Sequence, residues 1–167
     1  DDMLAAAATL RPHGIHATFT RLGESVSDWP EAEYVTGHYL GALDRIKAAG
    51  IICEPSVKPT QLGLDLDKER CFENLRALAE RAKGCGNYLW IDMEQSPYVD
   101  ATLELTKRLR AQFDNVGVCL QAYLYRTVDD LKALREHRIS VRLVKGAYKE
   151  PSSVAFAKKA DVDENFF

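Results

Sequence analysis

The sequence lacks the features that would place the chain in a membrane or on nucleic acid. No apolar run approaches the roughly 20 residues that a membrane-spanning helix needs, and the first residues lack the positive flank of a signal peptide. The 22 basic and 25 acidic residues are interleaved, with a formal net charge of −3, and no basic block matches a phosphate backbone. We therefore expect a soluble, cytoplasmic protein that does not bind nucleic acid.

Signatures of metal sites are also missing. The four cysteines, Cys53, Cys71, Cys85 and Cys119, form no C-x-x-C pair and have no histidines nearby at metal-ligand spacing. Reduced structural thiols are the usual state of such cysteines in an intracellular protein. We expect no metal site.

Several common enzyme motifs are absent as well. The sequence has no G-x-S-x-G, no H-E-x-x-H, no G-x-x-x-x-G-K-[ST], and no G-x-G-x-x-G after a predicted strand. Its histidines lie away from the carboxyl ends of the predicted strands. Histidines in such positions typically have surface or core roles. Hydrolase, zinc-protease, nucleotide-loop and histidine-based mechanisms therefore have no support.

What the sequence does contain is a regular alternation of two hydrophobic periods. Strands are predicted at residues 16–22, 51–58, 88–94, 116–124 and 141–145, and helices at 31–48, 68–82, 98–113, 128–138 and 152–159. With 46% apolar residues and no linker rich in Gly, Pro and Ser, residues 1–167 are expected to form one domain.

Residues at the predicted helix ends favour the same boundaries. Ser96 followed by Pro97 is typical of a helix start, and Thr127 can cap the next helix with Asp130 three residues on. Gly50 and Gly84 stand where helices should stop.

Alternating strands and helices require a parallel sheet. On the third strand Trp90, Asp92 and Glu94 would share a polar face, while the intervening residues are apolar. A polar face pointing into a barrel mouth favours an α/β fold of the parallel (β/α)8 TIM type over an open sheet. A complete barrel needs eight strands and about 250 residues, so we expect an incomplete barrel of five strand-helix units with two exposed edges.

Polar side chains recur near the carboxyl ends of the predicted strands, where parallel barrels build their active sites. They are Glu24, Lys58, Asp92 with Glu94, Gln121, and Arg142 with Lys145. Each of them taken alone is equally compatible with a structural ion pair.

The chemistry of these residue types suits a flavin. Lys58 and Arg142 could bind a carboxylate or a developing negative charge, Gln121 could hydrogen-bond a planar heterocycle, and Asp92 could orient a cation. Gly146 after the fifth strand leaves room for a ligand against the backbone, although a glycine that merely ends the strand is the alternative.

Five strings occur in the order and spacing of one family, and the similarity runs over nearly all of the chain. They are SVKPTQLG (56–63), IDME (91–94), LQAYL (120–124), RLVKGAYKE (142–150) and KADVDENF (159–166), with LGE (22–24) in the first strand. The chain resembles the proline dehydrogenase family. That resemblance implies an FAD enzyme that oxidises L-proline to 1-pyrroline-5-carboxylate by hydride transfer to flavin N5 and passes electrons to a quinone.

The resemblance also implies residue roles. Asp92 and Arg142 are the expected catalytic residues, and Lys58 is expected to pair with the substrate carboxylate. The expected flavin contacts are Met93, Gln121 and Arg142, the backbone of Val144, Lys145, Gly146 and Ala147, and the nearby Tyr148.

Two departures from the family pattern leave alternatives open. Thr20 stands at a position that is usually acidic, and the later strands are missing, with the threonine-histidine pair and the tyrosine and two adjacent arginines that the family places there. The chain is therefore either a fragment or a degenerate relative that acts as a non-catalytic assembly partner. A Schiff-base barrel using Lys58 or Lys145 is a further alternative. Self-association and peripheral contact with the inner membrane stay open.

Overall fold

The computed structural model describes residues 2 to 167 and contains five strands and six helices within them. The strands are β1 (Ala17–Phe19), β2 (Cys53–Val57), β3 (Leu89–Ile91), β4 (Val116–Gln121) and β5 (Ser140–Val144). The helices are α1 (Asp2–Leu10), α2 (Trp29–Ala49), α3 (Lys68–Gly84), α4 (Val99–Arg110), α5 (Thr127–Glu136) and α6 (Lys159–Phe166).

All five strands are parallel and follow one another in the sheet in chain order. The sheet curls into half of a barrel, and helices α2 to α5 return the chain between successive strands. The predicted fold class, a parallel α/β barrel that is incomplete, is confirmed. Within the described residues, β1 pairs only with β2, and β5 pairs only with β4.

The core lies between the convex face of the sheet and the helices. Leu75 and Leu78 of α3, Leu105 and Leu109 of α4, and the β3 residues Leu89 and Ile91 are all completely buried. Each fully buried leucine or isoleucine contributes about 1.5–3 kcal/mol relative to an exposed one. The apolar alternation on β3 therefore fixes which face the helices cover.

The opposite face of the sheet holds polar groups inside the barrel. The Trp90 indole nitrogen donates to Glu54 Oε2 at 2.7 Å. A Cβ atom at Gly117 would lie 2.5 Å from Trp90 Cζ3, so only glycine at this position of β4 leaves space for the indole ring.

The helix boundaries correct two predictions and agree with two others. Ser96 does not cap α4, because its amide and hydroxyl both donate to the distant Glu150 carboxylate at 2.7 Å. Thr127 is the first residue of α5 and not its cap, since its hydroxyl donates to the Gln121 carbonyl at 2.5 Å. Gly50 ends α2 in the left-handed region as expected, and Gly84 is the last residue of α3, which Cys85 caps.

The last predicted helix, at residues 152–159, is also wrong. This segment forms turns and pairs with the loop after β4: the Phe156 amide donates to the Tyr123 carbonyl at 2.8 Å, and the Tyr125 amide donates to the Val154 carbonyl at 3.1 Å. The helix begins only at Lys159. Helix α1, with its run of alanines, was not predicted.

Candidate active site

An open cavity of about 530 Å³ lies at the carboxyl ends of the strands. Its lining comprises Glu24, Lys58, Asp92, Met93, Cys119, Gln121, Arg142, Val144, Lys145, Gly146, Ala147 and Tyr148. The structure therefore brings every residue with a predicted catalytic, substrate-binding or flavin-binding role to one cavity. The roles themselves stay predictions.

Asp92 is the centre of a charged network that joins three strands. Arg142 Nη2, on β5, donates to Asp92 Oδ1 at 2.6 Å, and Lys58 Nζ, after β2, lies 3.6 Å from Asp92 Oδ2. Ser56 on β2 takes part as well, donating to Asp92 Oδ1 at 2.5 Å and accepting from Arg142 Nη2 at 2.9 Å. One carboxylate thus holds two cations, one on each of its oxygens.

Two cavity residues keep unused hydrogen-bonding atoms. The side-chain amide of Gln121 donates to the Met93 carbonyl at 3.0 Å, whereas its Oε1 is buried without a partner among the described residues. Arg142 Nε is likewise buried without a hydrogen-bond partner among the described residues. Because buried polar atoms are nearly always paired in folded proteins, this acceptor and this donor point to a ligand.

The backbone after β5 is held in one conformation beside the cavity. Gly146 has φ +114°, and a Cβ atom there would lie 2.4 Å from the Tyr123 ring. The carbonyl groups of Val144 and Lys145 accept from the amides of Ala122 and Tyr123 at 2.7 and 2.9 Å. The Lys145 ammonium is paired with Asp163 of α6. Glycine is therefore needed here for both conformation and space.

A hydrogen bond joins the two edges of the half-barrel across the cavity. The Tyr148 hydroxyl, after β5, donates at 2.5 Å to Glu24 Oε1 in the loop after β1. Burial, and then the Glu24 carboxylate, raise the pKa of the Tyr148 phenol. Tyr148 therefore keeps its proton and acts as a hydrogen-bond donor.

Glu94 corrects the prediction that it shares the polar face of β3. The strand ends at Ile91, and the chain turns so that the Glu94 carboxylate is buried outside the cavity lining. It accepts from the Thr60 amide at 3.0 Å and from the Thr60 hydroxyl. Burial raises the pKa of Glu94 above its ordinary value.

We expect the Glu94→Gln variant to differ from the parent in how stability depends on pH. A carboxyl group whose pKa is raised by folding stabilises the fold at low pH and loses that contribution as pH rises through the folded pKa. Urea unfolding between pH 4 and pH 8 should therefore show the parent losing stability relative to Glu94→Gln above the ordinary glutamate pKa. The exposed Glu136→Gln serves as control. Parallel pH profiles for the parent and Glu94→Gln would contradict the assignment.

The comparison with known proteins places the chain in a family. A model described as proline dehydrogenase matches residues 3–164. The chain belongs to the proline dehydrogenase family.

Curated members of the proline dehydrogenase family show the extent of the similarity. Proline dehydrogenase 1 of Bacillus subtilis subsp. natto is 37% identical over 157 residues, which cover 94% of this chain and 52% of that protein. The proline dehydrogenase of Deinococcus radiodurans is 33% identical over 171 residues, covering 99% and 55%. The chain therefore spans about half the length of these relatives.

A solved structure shows the same fold. Proline utilization A (PutA) of Bdellovibrio bacteriovorus, inactivated by N-propargylglycine, superposes with a TM-score of 0.86 at 23% identity, covering 98% of this chain and 22% of that one. This superposition supports the half-barrel fold of the chain.

Two residues of the site were not predicted from the sequence: Cys119 lines the cavity, and Ser56 bonds the cavity residues Asp92 and Arg142. Ser56 lies two residues before Lys58 in the predicted strand at 51–58, so period-2 alternation in that predicted strand could have identified it. From the sequence alone, Cys119 is expected to be only a structural thiol. Burial raises its pKa, which keeps the thiol protonated.

Residues 2–167 contain neither a metal-ligand cluster nor a membrane-spanning helix. No group of three or more His, Cys, Asp or Glu side chains in this range could hold a metal ion. No helix there has the length and apolarity to cross a membrane.

Proposed function

We propose that residues 1–167 are part of a proline dehydrogenase barrel domain that oxidises L-proline to 1-pyrroline-5-carboxylate with FAD. The observation that carries the proposal is the charged network in the cavity: Lys58 and Arg142 share Asp92, beside the unpartnered Oε1 of Gln121. This set offers cations for an amino-acid carboxylate and an acceptor for the edge of a heterocycle.

The residues present fit FAD. Gln121 Oε1 suits an N–H group at the edge of the isoalloxazine ring, and Arg142 would lie beside the ring, where a fixed cation stabilises added electron density without rearrangement. Met93 and the backbone from Val144 to Ala147 would complete the contact, with Tyr148 close by. FAD supplies the acceptor for a hydride from the substrate ring carbon.

The substrate carboxylate is assigned to Lys58. Its ammonium lies 3.6 Å from Asp92 Oδ2, beyond the usual length of a hydrogen bond, so it keeps capacity for a second anion. Its side chain is only 16% exposed, and little water competes for it. Asp92 would hold both cations in place while the carboxylate binds.

The electron acceptor is proposed to be a quinone, which the family resemblance supports. Contact with the inner membrane would follow from a lipid-soluble acceptor, and reduction of a soluble quinone analogue in the presence or absence of vesicles would measure it.

The test uses a joined protein, in which this chain is followed in one polypeptide by the remaining half of Bacillus subtilis proline dehydrogenase 1. We expect it to bind FAD with an absorption band near ~450 nm and to lose that band when L-proline is added without oxygen, because the reduced cofactor absorbs little there. Gln121→Leu removes the free acceptor and should weaken FAD binding. D-proline is the matched substrate control. A joined protein that binds FAD but is not bleached by L-proline would contradict the function.

The open edges of β1 and β5 favour one other candidate, a non-catalytic half-barrel that pairs with another chain. A folded, colourless and oligomeric protein would support it. The Schiff-base alternative is less well supported, because Lys58 and Lys145 are already engaged in ion pairs with Asp92 and Asp163. Borohydride trapping with a carbonyl substrate tests it.

A further inference from the structure

Ser56 places a small, buried hydroxyl group within the charged network. The residue is 3% exposed, and its backbone is fixed because its carbonyl accepts from the hydroxyl of the buried Tyr39 at 3.2 Å. Its Oγ lies between the two charged groups of the cavity, 2.5 Å from Asp92 Oδ1 and 2.9 Å from Arg142 Nη2.

The direction of these hydrogen bonds is determined by the partners. Arg142 can only donate and the Asp92 carboxylate can only accept, so the Ser56 hydroxyl accepts from the first and donates to the second. Asp92 Oδ1 therefore receives two donors at 2.5 and 2.6 Å, whereas among the described residues Oδ2 has only the Lys58 ammonium, at 3.6 Å.

We propose that Ser56 is a positioning residue, which turns Asp92 so that Oδ1 is bound to Arg142 and Lys58 stays loosely paired. The proposal rests on the proposed function, in which Lys58 takes the substrate carboxylate. Without the hydroxyl, the Asp92 carboxylate would be free to rotate toward Lys58 and compete with that carboxylate. Ser56 would thus act on substrate binding through Asp92, without touching the substrate.

The kinetic test compares variants of the joined protein. Ser56→Ala should lower kcat/KM for L-proline about tenfold or more, the effect of losing a hydrogen bond to a charged group, mainly through KM and with FAD content unchanged. Ser56→Thr, which keeps a hydroxyl, should recover most of the loss. Ser140→Ala is the matched control, because its hydroxyl bonds Tyr88 at the opposite end of the sheet.

A double-mutant cycle separates positioning from a merely structural role. If Ser56 acts through Asp92 on Lys58, the effects of Ser56→Ala and Lys58→Ala on KM should not add, whereas a hydroxyl that only fills space should give additive effects. Additive effects, or parental kcat/KM in Ser56→Ala, would overturn the inference.

A second readout needs neither flavin nor proline. In the 167-residue chain, the rate at which phenylglyoxal modifies Arg142 is measured by peptide mass spectrometry. Loss of the Ser56 hydroxyl should loosen the guanidinium and raise this rate several-fold relative to the parent and to Ser140→Ala. An unchanged rate in Ser56→Ala counts against the inference. If the parent joined protein is not reduced by proline, the proposed function fails, and the Arg142 modification rates still decide the role of Ser56.

Discussion

Arg142→Met in the joined protein should slow the reduction of FAD by L-proline by about a hundredfold or more. Removing one preorganised group that stabilises developing charge commonly costs two to three orders of magnitude in rate. Methionine keeps the length and much of the volume of the side chain, so the decrease in rate reports mainly the contribution of the positive charge. Rapid-mixing measurement of absorbance near ~450 nm follows the reaction directly.

Arg142→Met should also weaken FAD binding and disturb Asp92. The carboxylate would lose its 2.6 Å partner and keep only Ser56 and the distant Lys58. Arg142→Lys, which keeps the charge but not the fork of donors, should fall between the parent and methionine. A reduction rate equal to that of the parent would remove Arg142 from the mechanism.

Lys58→Ala provides the matched comparison on the substrate side of the network. A carboxylate contact that is equally strong in the ground and transition states changes KM and leaves kcat nearly unaltered. We therefore expect a higher KM for L-proline with parental flavin content. Loss of flavin with parental proline affinity would reverse the assignment of the two cations.

The sequence predicts the cavity well because parallel topology does most of the placement. Once strands and helices alternate, the carboxyl ends of all strands must meet at one edge. Three of the residues, Lys58, Asp92 and Gln121, lie at or next to such an end. Arg142 lies two residues before the end of β5. Only the order of the elements, and no distance, is needed to bring them together.

Glu94 shows where this inference stops. Period-2 alternation holds only while the strand continues, and β3 ends at Ile91. Beyond that residue the direction of a side chain depends on the turn, and the partner of Glu94 is Thr60, 34 positions earlier. Nothing in the local pattern encodes that contact.

The failed cap predictions have the same cause. Ser96 and Thr127 are residue types that cap helices, yet their hydroxyls bind Glu150 and the Gln121 carbonyl. Local propensity was overridden by partners that only the folded chain supplies. Caps with no such competitor, Asp28 of α2 and Asp67 of α3, accept from the amides of Glu31 and Arg70 at 2.9 Å.

The 167-residue chain produced alone should not oxidise L-proline at a measurable fraction of the rate of the joined protein. In the half-barrel the cavity is open on one side, and only Lys58 is assigned to the substrate carboxylate. Orientation of reactants can account for about 7–11 kcal/mol of barrier lowering, so a substrate held at one point loses much of that advantage. The family resemblance places the further carboxylate-binding arginines beyond the segment that this chain matches.

The isolated chain should also self-associate. The strands β1 and β5 leave backbone amides and carbonyls unpaired along one side within the described residues, and such edges pair readily with other chains. Beside β5, an open cavity of about 620 Å³ is lined by Leu131, Ile139 and Val141 together with Arg135 and Arg138, so partly apolar surface adjoins the free edge. Pairing through this edge would bury both.

Light scattering for mass, together with proline-dependent dye reduction in the presence of added FAD, tests both expectations on one sample. Val141→Lys places a charge at the β5 edge and should shift the population toward monomer, while the exposed Lys132→Ala on α5 serves as a control away from the edge. Association that persists unchanged in Val141→Lys would move the contact to another surface. A monomeric parent with ordinary turnover would mean that five strands suffice to orient proline, and that the second half of the barrel is needed neither to close the edges nor to hold the carboxylate.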